Sequence, residues 1–90
     1  MKYTVLWRVS AEAELAHIWN SSVDRQAVTA ASNAIDRALR FDPVLRGETV
    51  RGTIRVIVER PLVVTYRVDE DDRIVRVIGV AYVPGSSLLN

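Results

Sequence analysis

Three apolar segments in the C-terminal half of the chain predict a β meander. The segments span 50–58, 62–68 and 73–83, and each is rich in β-branched and aromatic residues. Short polar breaks at 59–61 and 69–72 separate them, which is typical of antiparallel strands joined by tight turns. Pro61 suits such a break because it has no backbone donor to lose from a ladder. The acidic break at 69–72 suits a hairpin tip in water.

Period-two alternation assigns the two faces of each predicted strand. The apolar face of the first strand is predicted to consist of Ile54, Val56 and Val58. Its opposite face carries Arg55, with Ile57 as an exception. The apolar face of the second strand comprises Leu62, Val64, Tyr66 and Val68. The smooth apolar row of the third comprises Val75, Val77, Gly79, Ala81 and Val83. Its other row is mixed, so we expect this strand to be central or to lie beneath a groove that a partner fills.

The N-terminal half predicts one strand followed by two helices. Residues 3–9 are strand-like by residue type. Ser10 can cap a helix over 11–19, because its hydroxyl can accept a hydrogen bond from a free amide of the first turn. The apolar stripe of that helix consists of Ala11, Leu15, Ile18 and Trp19. A capping signal at Asp24 starts a second helix from about Val23 to Phe41. Pro43 ends it, since the residue before a proline resists the helical conformation.

The order of these elements predicts an α+β fold with the arrangement β-α-α-β-β-β. The two helices should form a helical hairpin packed on one face of an antiparallel sheet. Residues 44–49 are predicted to be a loop that leads into the meander. We expect a single domain over 1–83, followed by a C-terminal tail at 84–90.

Composition limits the chemistry that the chain can perform. It contains no cysteine and a single histidine, His17, so it lacks the ligands of the usual metal sites. The absence of cysteine fits a reducing cytoplasm, and no segment approaches the ~20 apolar residues of a membrane span. We therefore expect a soluble cytoplasmic protein with no metal or cofactor.

Arginine accounts for eleven of the twelve basic residues, and six arginines lie on the predicted strands or at their edges. These six are Arg51, Arg55, Arg60, Arg67, Arg73 and Arg76. A sheet surface rich in arginine is suited to phosphate or carboxylate, because the guanidinium presents a planar fork of donors. The alternative is that these side chains are solvated and paired with Glu59 or Asp69.

No standard catalytic motif is present. The four glycines do not cluster into a phosphate-binding loop, and the acidic turn lacks the spacing of a calcium loop. If the sheet acts on RNA, arginines would hold the scissile phosphate, and Tyr82, Arg55 or Arg76 would have to transfer protons. Arginine is a poor general base because it stays protonated.

Several segments, in their order and spacing, resemble the RelE/ParE superfamily of toxins of type II toxin–antitoxin systems. The resemblance is found in residues 9–15, in the helix at 34–39, in Asp42-Pro43, in Arg51-Gly52 and above all in 60–69. It covers nearly the whole chain. It implies a β-α-α-β-β-β fold and a cognate antitoxin that wraps the toxin's grooves in a hetero-oligomer. It also implies a role in plasmid stabilisation or growth arrest.

The superfamily implies two kinds of activity. RelE-like members are ribosome-dependent ribonucleases that cut mRNA with basic residues on the sheet, whereas ParE-like members poison DNA gyrase and lack that set. This chain has Leu62 and Val63 where the ribonucleases tend to carry an arginine. It has Tyr82 and Val83 where they tend to carry a His-Arg pair. These departures favour the ParE-like type.

Three functional hypotheses follow. The leading hypothesis is a toxin that binds DNA gyrase, with Arg51, Arg55, Arg76 and Tyr82 as candidate target-binding residues. The second is a ribosome-dependent mRNA endoribonuclease in which Arg55 and Tyr82 are the candidate catalytic residues. The third is an inactive relative that only binds an antitoxin.

Overall fold

Five strands and three helices make up the part of the chain that the computed structural model describes, residues 2–83. The strands are β1 (Thr4–Trp7), β2 (Glu48–Arg51), β3 (Ile54–Glu59), β4 (Leu62–Asp69) and β5 (Ile74–Tyr82). The helices are α1 (Val9–Ser21), α2 (Arg25–Phe41) and the short α3 (Pro43–Arg46). The predicted tail at 84–90 lies outside the described residues.

The five strands form one sheet in the order β1-β5-β4-β3-β2. The predicted meander is present, since β3, β4 and β5 pair antiparallel and β2 joins them in the same way. β1 pairs with β5 in parallel, so the sheet is mixed and not wholly antiparallel. Three helices and three strands lie between β1 and β5 in the chain, so no tight turn joins the pair and a parallel pairing is possible. The predicted α+β fold with helices packed on the sheet is confirmed.

The amphipathic face of α2 provides the helical side of the core. Its buried residues are Val28, Ala31, Ile35, Ala38 and Leu39, which recur at helical spacing. Asp24 caps the helix, because its carboxylate accepts a hydrogen bond of 3.0 Å from the amide of Ala27. The helix ends at Phe41, two residues before Pro43, as predicted.

Helix α1 begins two residues earlier than predicted. It starts at Val9, with Arg8 in the cap position and no side-chain cap, so Ser10 lies inside the helix. The predicted inward face is confirmed at Ala11, which is fully buried. Because β1 already ends at Trp7, the chain turns directly from the strand into the helix.

Trp19 joins the two long helices instead of filling the core. The residue is 41 % exposed, and its Nε1 donates a hydrogen bond of 3.0 Å to Thr29 Oγ1 on α2. The guanidinium of Arg25 lies 4.8 Å from the ring centroid, a distance at which cation–π attraction is effective. These two contacts join the end of α1 to the first half of α2.

The segment predicted as one strand over 50–58 is two strands joined by a tight turn. The turn includes Gly52, whose φ of 53° lies in the left-handed region that glycine adopts without steric cost. The predicted loop at 44–49 accordingly contains most of α3 and the start of β2. One glycine therefore creates an additional strand at the sheet edge.

The predicted faces of β3 are reversed in the structure. Ile57, the exception in the sequence pattern, is buried and lies opposite Val64, which is itself fully buried. Val58 is 51 % exposed on the other face. Both faces of this strand carry apolar residues, so the pairing with β4 decides which one meets the helices. Arg55 consequently lies on the helix side of the sheet.

A β-bulge changes the alternation along β5. Thr65 pairs with Gly79 and Tyr66 pairs with Val77, so Ile78 is an extra residue on the bulged strand. The buried residues of β5 are Val75, Val77 and Val80. The predicted apolar row is therefore correct up to Val77 and wrong beyond it, since one inserted residue moves the rest of the strand to the opposite face.

Glu14 of α1 supplies a hydrogen-bond acceptor at this bulge. Its Oε1 accepts a hydrogen bond of 3.0 Å from the amide of Val80. A bulge leaves backbone groups without ladder partners, and a donor without an acceptor costs free energy. The contact also ties α1 to the central strand pair.

Replacing Glu14 tests this contact. We expect Glu14→Ala to lower the free energy of unfolding by about 1 kcal/mol, because one hydrogen bond is lost. The amide of Val80 should also exchange faster with solvent. Glu14→Gln keeps a carbonyl acceptor, so it should preserve most of the free energy of unfolding and most of the protection of the Val80 amide. Urea unfolding and amide hydrogen exchange measure these effects, and unchanged protection of Val80 in Glu14→Ala would contradict the assignment.

Candidate functional site

One face of the sheet is covered by the helices, and we call the opposite face the open face. Strand register places one row of residues across it: Arg51 of β2, Ile54 of β3, Arg67 of β4, Arg76 of β5 and Leu6 of β1. We call this the arginine row. Directly paired side chains share a face, so these arginines lie on the same surface.

The other end of the open face is apolar. Val58 pairs with Val63, and Val63 pairs with Ala81, which forms a row across three strands. Val63 and Arg67 are four residues apart on β4, so the two rows are about 13 Å apart at 3.3 Å per residue. The open face therefore combines a basic end with an apolar end.

Arg55 lies on the helix side, and its guanidinium forms hydrogen bonds with the segment from α3 to β2. Its guanidinium donates hydrogen bonds to the carbonyl of Val44, to the carbonyl of Gly47 at 2.6 Å and to Thr49 Oγ1 at 2.8 Å. Its Nε is buried and has no hydrogen-bond partner among the described residues. These contacts hold the segment from α3 to β2 against the sheet.

Tyr66 forms a further hydrogen bond with the same segment. It lies opposite Arg55, is fully buried, and donates a hydrogen bond of 2.6 Å from its hydroxyl to the carbonyl of Pro43. Gly47 passes so close that an added Cβ would lie 2.0 Å from the Tyr66 hydroxyl and 2.8 Å from the carbonyl of Val56. Only a residue without a side chain fits there.

Tyr82 lies at the other end of the sheet, near the end of α1. It pairs with the buried Leu62, so its side chain is on the helix side. It lines a surface groove of about 350 Å³ together with Ile18, Val23 and His17. Tyr82 as a whole is 42 % exposed. Tyr82 is therefore partly open to solvent in a surface groove, whereas the guanidinium of Arg55 is bonded to two carbonyls and a hydroxyl.

The structure separates the four site residues predicted from sequence into two surfaces. Arg51 and Arg76 share the open face, whereas Arg55 and Tyr82 lie on the helix side. From the register, Arg55 and Tyr82 are four residues apart along β4 and two strands apart. This corresponds to about 16 Å between their Cα atoms. Their catalytic or target-binding roles remain predictions.

Arg8 and Arg67 are surface residues that the sequence patterns did not select as site residues. Both line a groove with Arg76 on the open face. The alternation of β4 does place Arg67 opposite the buried side chains. That Arg67 lies opposite Arg76 follows only from the register between β4 and β5. Arg8 reaches the same groove only because β1 pairs in parallel with β5.

Another groove, of about 550 Å³, lies between α1 and α2, away from the open face. Its lining includes Trp7, Leu15 and Trp19 together with the acidic residues Glu12 and Asp36. Asp36 is already paired with Arg40 at 2.8 Å. Within residues 2–83, no three His, Asp or Glu side chains are close enough to share a metal ion. In the same range no helix is long and apolar enough to cross a membrane.

Comparison with known families gives a match over most of the chain. The profile of the family described as ParE toxin of type II toxin-antitoxin system, parDE, matches residues 5–82. No protein sequence with a curated function matches significantly.

Solved structures with the same fold include several toxins. The toxin-antitoxin complex RelBE2 from Mycobacterium tuberculosis contains a chain with a TM-score of 0.76 and 18% identity, over 91% of this chain and 92% of that one. The isolated E. coli RelE toxin has a TM-score of 0.66 and 17% identity, over 94% of this chain and 88% of that one. The chromosomal ParDE system from P. aeruginosa contains a chain with a TM-score of 0.64 and 16% identity, over 91% of this chain and 97% of that one. At these identities the likeness shows a shared fold alone.

The close approach at Gly47 makes a testable prediction. Gly47→Ala should lower the free energy of unfolding by about 1–3 kcal/mol, because the new methyl group collides with Tyr66 and with the backbone. Gly79→Ala is the matched control, since a Cβ there lies 3.8 Å from its nearest neighbour, Glu14 Oε1. It should change stability by less than about 0.5 kcal/mol. Urea unfolding measures both.

A double variant identifies the colliding atom. Tyr66→Phe removes the hydroxyl that lies nearest to the added methyl group. The cost of Gly47→Ala/Tyr66→Phe should therefore be smaller than the sum of the two single costs by at least about 0.5 kcal/mol. Strict additivity would show that the hydroxyl does not cause the strain.

Proposed function

Because the chain belongs to the family of ParE toxins of type II toxin–antitoxin systems, we propose that it arrests growth by binding DNA gyrase and that a cognate antitoxin neutralises it in a toxin–antitoxin hetero-oligomer. The observation that carries this proposal is the family match over residues 5–82. The profile is that of the ParE branch, in which the superfamily resemblance implies gyrase as the target.

The proposed antitoxin is supported by relatives and by the surface of the chain. Two of the solved structures with this fold are described as a toxin-antitoxin complex and as a ParDE system. The open face also exposes large apolar side chains, such as Leu6 and Val58. Side chains of this kind, together with arginine, suit a surface that a protein partner covers.

Action by binding, and not by RNA cleavage, is supported by the geometry of the predicted catalytic pair. General acid–base catalysis needs groups within hydrogen-bond reach of the reacting atoms. Arg55 is held by two carbonyls and a hydroxyl, and Tyr82 is about 16 Å away on the same side of the sheet. Bringing both to one phosphate would require the hydrogen bonds of Arg55 to break.

The residues proposed to contact the target are Arg51 and Arg76. Both lie in the arginine row and both are exposed. Arginine is enriched among the residues that dominate protein–protein binding energy. The contribution of Arg55 is proposed to be indirect, because it holds the segment that leads into β2.

A gyrase assay tests this proposal. Expression without antitoxin should arrest bacterial growth, and the purified protein should inhibit supercoiling by gyrase. Arg51→Ala/Arg76→Ala should raise the concentration for half-inhibition by roughly tenfold or more, since two interface arginines are removed. Arg37→Ala is the matched control, because Arg37 is exposed on α2 in the helical layer. It should leave inhibition unchanged.

Two other outcomes would contradict the proposal in different ways. Cleavage of mRNA on programmed ribosomes, lost in Tyr82→Phe and unaffected by Arg37→Ala, would identify an endoribonuclease. Tight binding of an antitoxin without growth arrest or gyrase inhibition would identify an inactive relative. Either result would remove gyrase as the target.

A further inference from the structure

Two arginines face each other directly on the open face. Arg67 of β4 pairs with Arg76 of β5, and both side chains are exposed. The Cβ atoms of directly opposed residues in an antiparallel pair lie about 4.5–5.5 Å apart, and like charges in that position destabilise the sheet. This pair therefore has a cost that a bound anion would relieve.

Arg8 adds a third positive charge to the same place. It lines a groove of about 230 Å³ together with Arg67, Arg76, Leu6 and Ile78. We call this the arginine groove. Leu6 is 43 % exposed, so one wall of the groove is apolar and accessible. The groove is suited to a group that is negatively charged at one end and apolar beside it.

The three guanidinium groups of the arginine groove form no ion pair or hydrogen bond with residues 2–83. Within residues 2–83, the ion pairs closer than 4.0 Å are Arg40 with Asp36 and Arg46 with Glu59. The arginine side chains that donate hydrogen bonds in that range are Arg25, Arg40 and Arg55. As far as residues 2–83 are concerned, the donors of Arg8, Arg67 and Arg76 are available to a ligand.

We infer that the arginine groove binds a carboxylate of an acidic, partly apolar peptide segment that belongs to the antitoxin. The identification of the segment as antitoxin rests on the proposed function. A carboxylate can accept two parallel hydrogen bonds from one guanidinium, and a neighbouring apolar side chain would cover Leu6 and Ile78. Binding would also relieve the repulsion between Arg67 and Arg76.

The charges around the groove favour a peptide over nucleic acid. Asp69, Glu70 and Asp71 line the adjoining surface on the other side of Arg67 and Arg76. A polyanion would run past these carboxylates, whereas a single carboxylate in the groove would not. The net charge of the chain is only +1, and nucleic-acid-binding domains usually carry a broad basic surface.

A synthetic peptide tests the inference with the full-length protein. The probe is fluorescein-labelled Val-Glu-Leu-Glu-Val-amide, and its control is the same peptide with glutamine in place of glutamate. Binding is measured by fluorescence anisotropy. We expect the glutamine peptide to bind at least about tenfold more weakly, because the charge-assisted hydrogen bonds are lost. Arg8→Gln/Arg67→Gln should weaken binding of the glutamate peptide by a similar factor, and Arg37→Gln should not. Amide NMR spectra verify that both variants are folded.

Three results would overturn the inference. The first is that the glutamate peptide does not bind. The second is that Arg8→Gln/Arg67→Gln binds the glutamate peptide as tightly as the wild-type protein does. The third is that a short DNA duplex binds the wild-type protein more tightly than the peptide does and that this variant abolishes the binding of the duplex. The third result would assign the groove to nucleic acid. Growth arrest and gyrase inhibition by the wild-type protein are measured separately, so a failure of the groove is distinguished from a failure of the proposed function.

Discussion

The pairing of β4 with β5 is the interaction on which the rest of the structure depends. These two strands lie at the centre of the sheet, and their buried side chains meet the helices. The bulge at Ile78 shifts the alternation of β5, so that Val77 and Val80 both face the core. The same shift places Tyr82 on the helix side, while Arg76 stays on the open face opposite Arg67. The positions of the candidate functional residues on β5 thus follow from one extra residue.

The segment from α3 to β2 depends on a second, polar interaction. Arg55 and Tyr66 lie side by side on neighbouring strands and donate to carbonyls at both ends of α3. Gly47 allows the backbone to pass over the tyrosine hydroxyl. An arginine on the covered face of a sheet is costly unless its donors are satisfied. The two terminal nitrogens of Arg55 donate to three acceptors, whereas its buried Nε has no partner among the described residues, so most but not all of the donors are satisfied.

The open face follows from the one-sided placement of the helices. With both long helices on the opposite side, no element of residues 2–83 covers the arginine row or the apolar row. The two rows lie about 13 Å apart on the same strands, so one extended partner can contact both. The sheet therefore has one side packed against the helices and one side on which the arginine groove is accessible.

The sequence by itself determined the fold class and most of the elements, because hydrophobic periodicity and capping are local properties, but it did not show α3 or the separate strand β2. The inward faces of α2 and β4, the cap at Asp24 and the end of α2 before Pro43 were all predictable in this way. The tertiary structure decided the faces of β3, the bulge at Ile78, the parallel pairing of β1 and the grouping of Arg8 with Arg67 and Arg76. These features depend on which strand lies beside which and in what register. Where both faces of a strand carry apolar residues, alternation alone does not specify the register, and only packing against neighbouring strands and helices selects it.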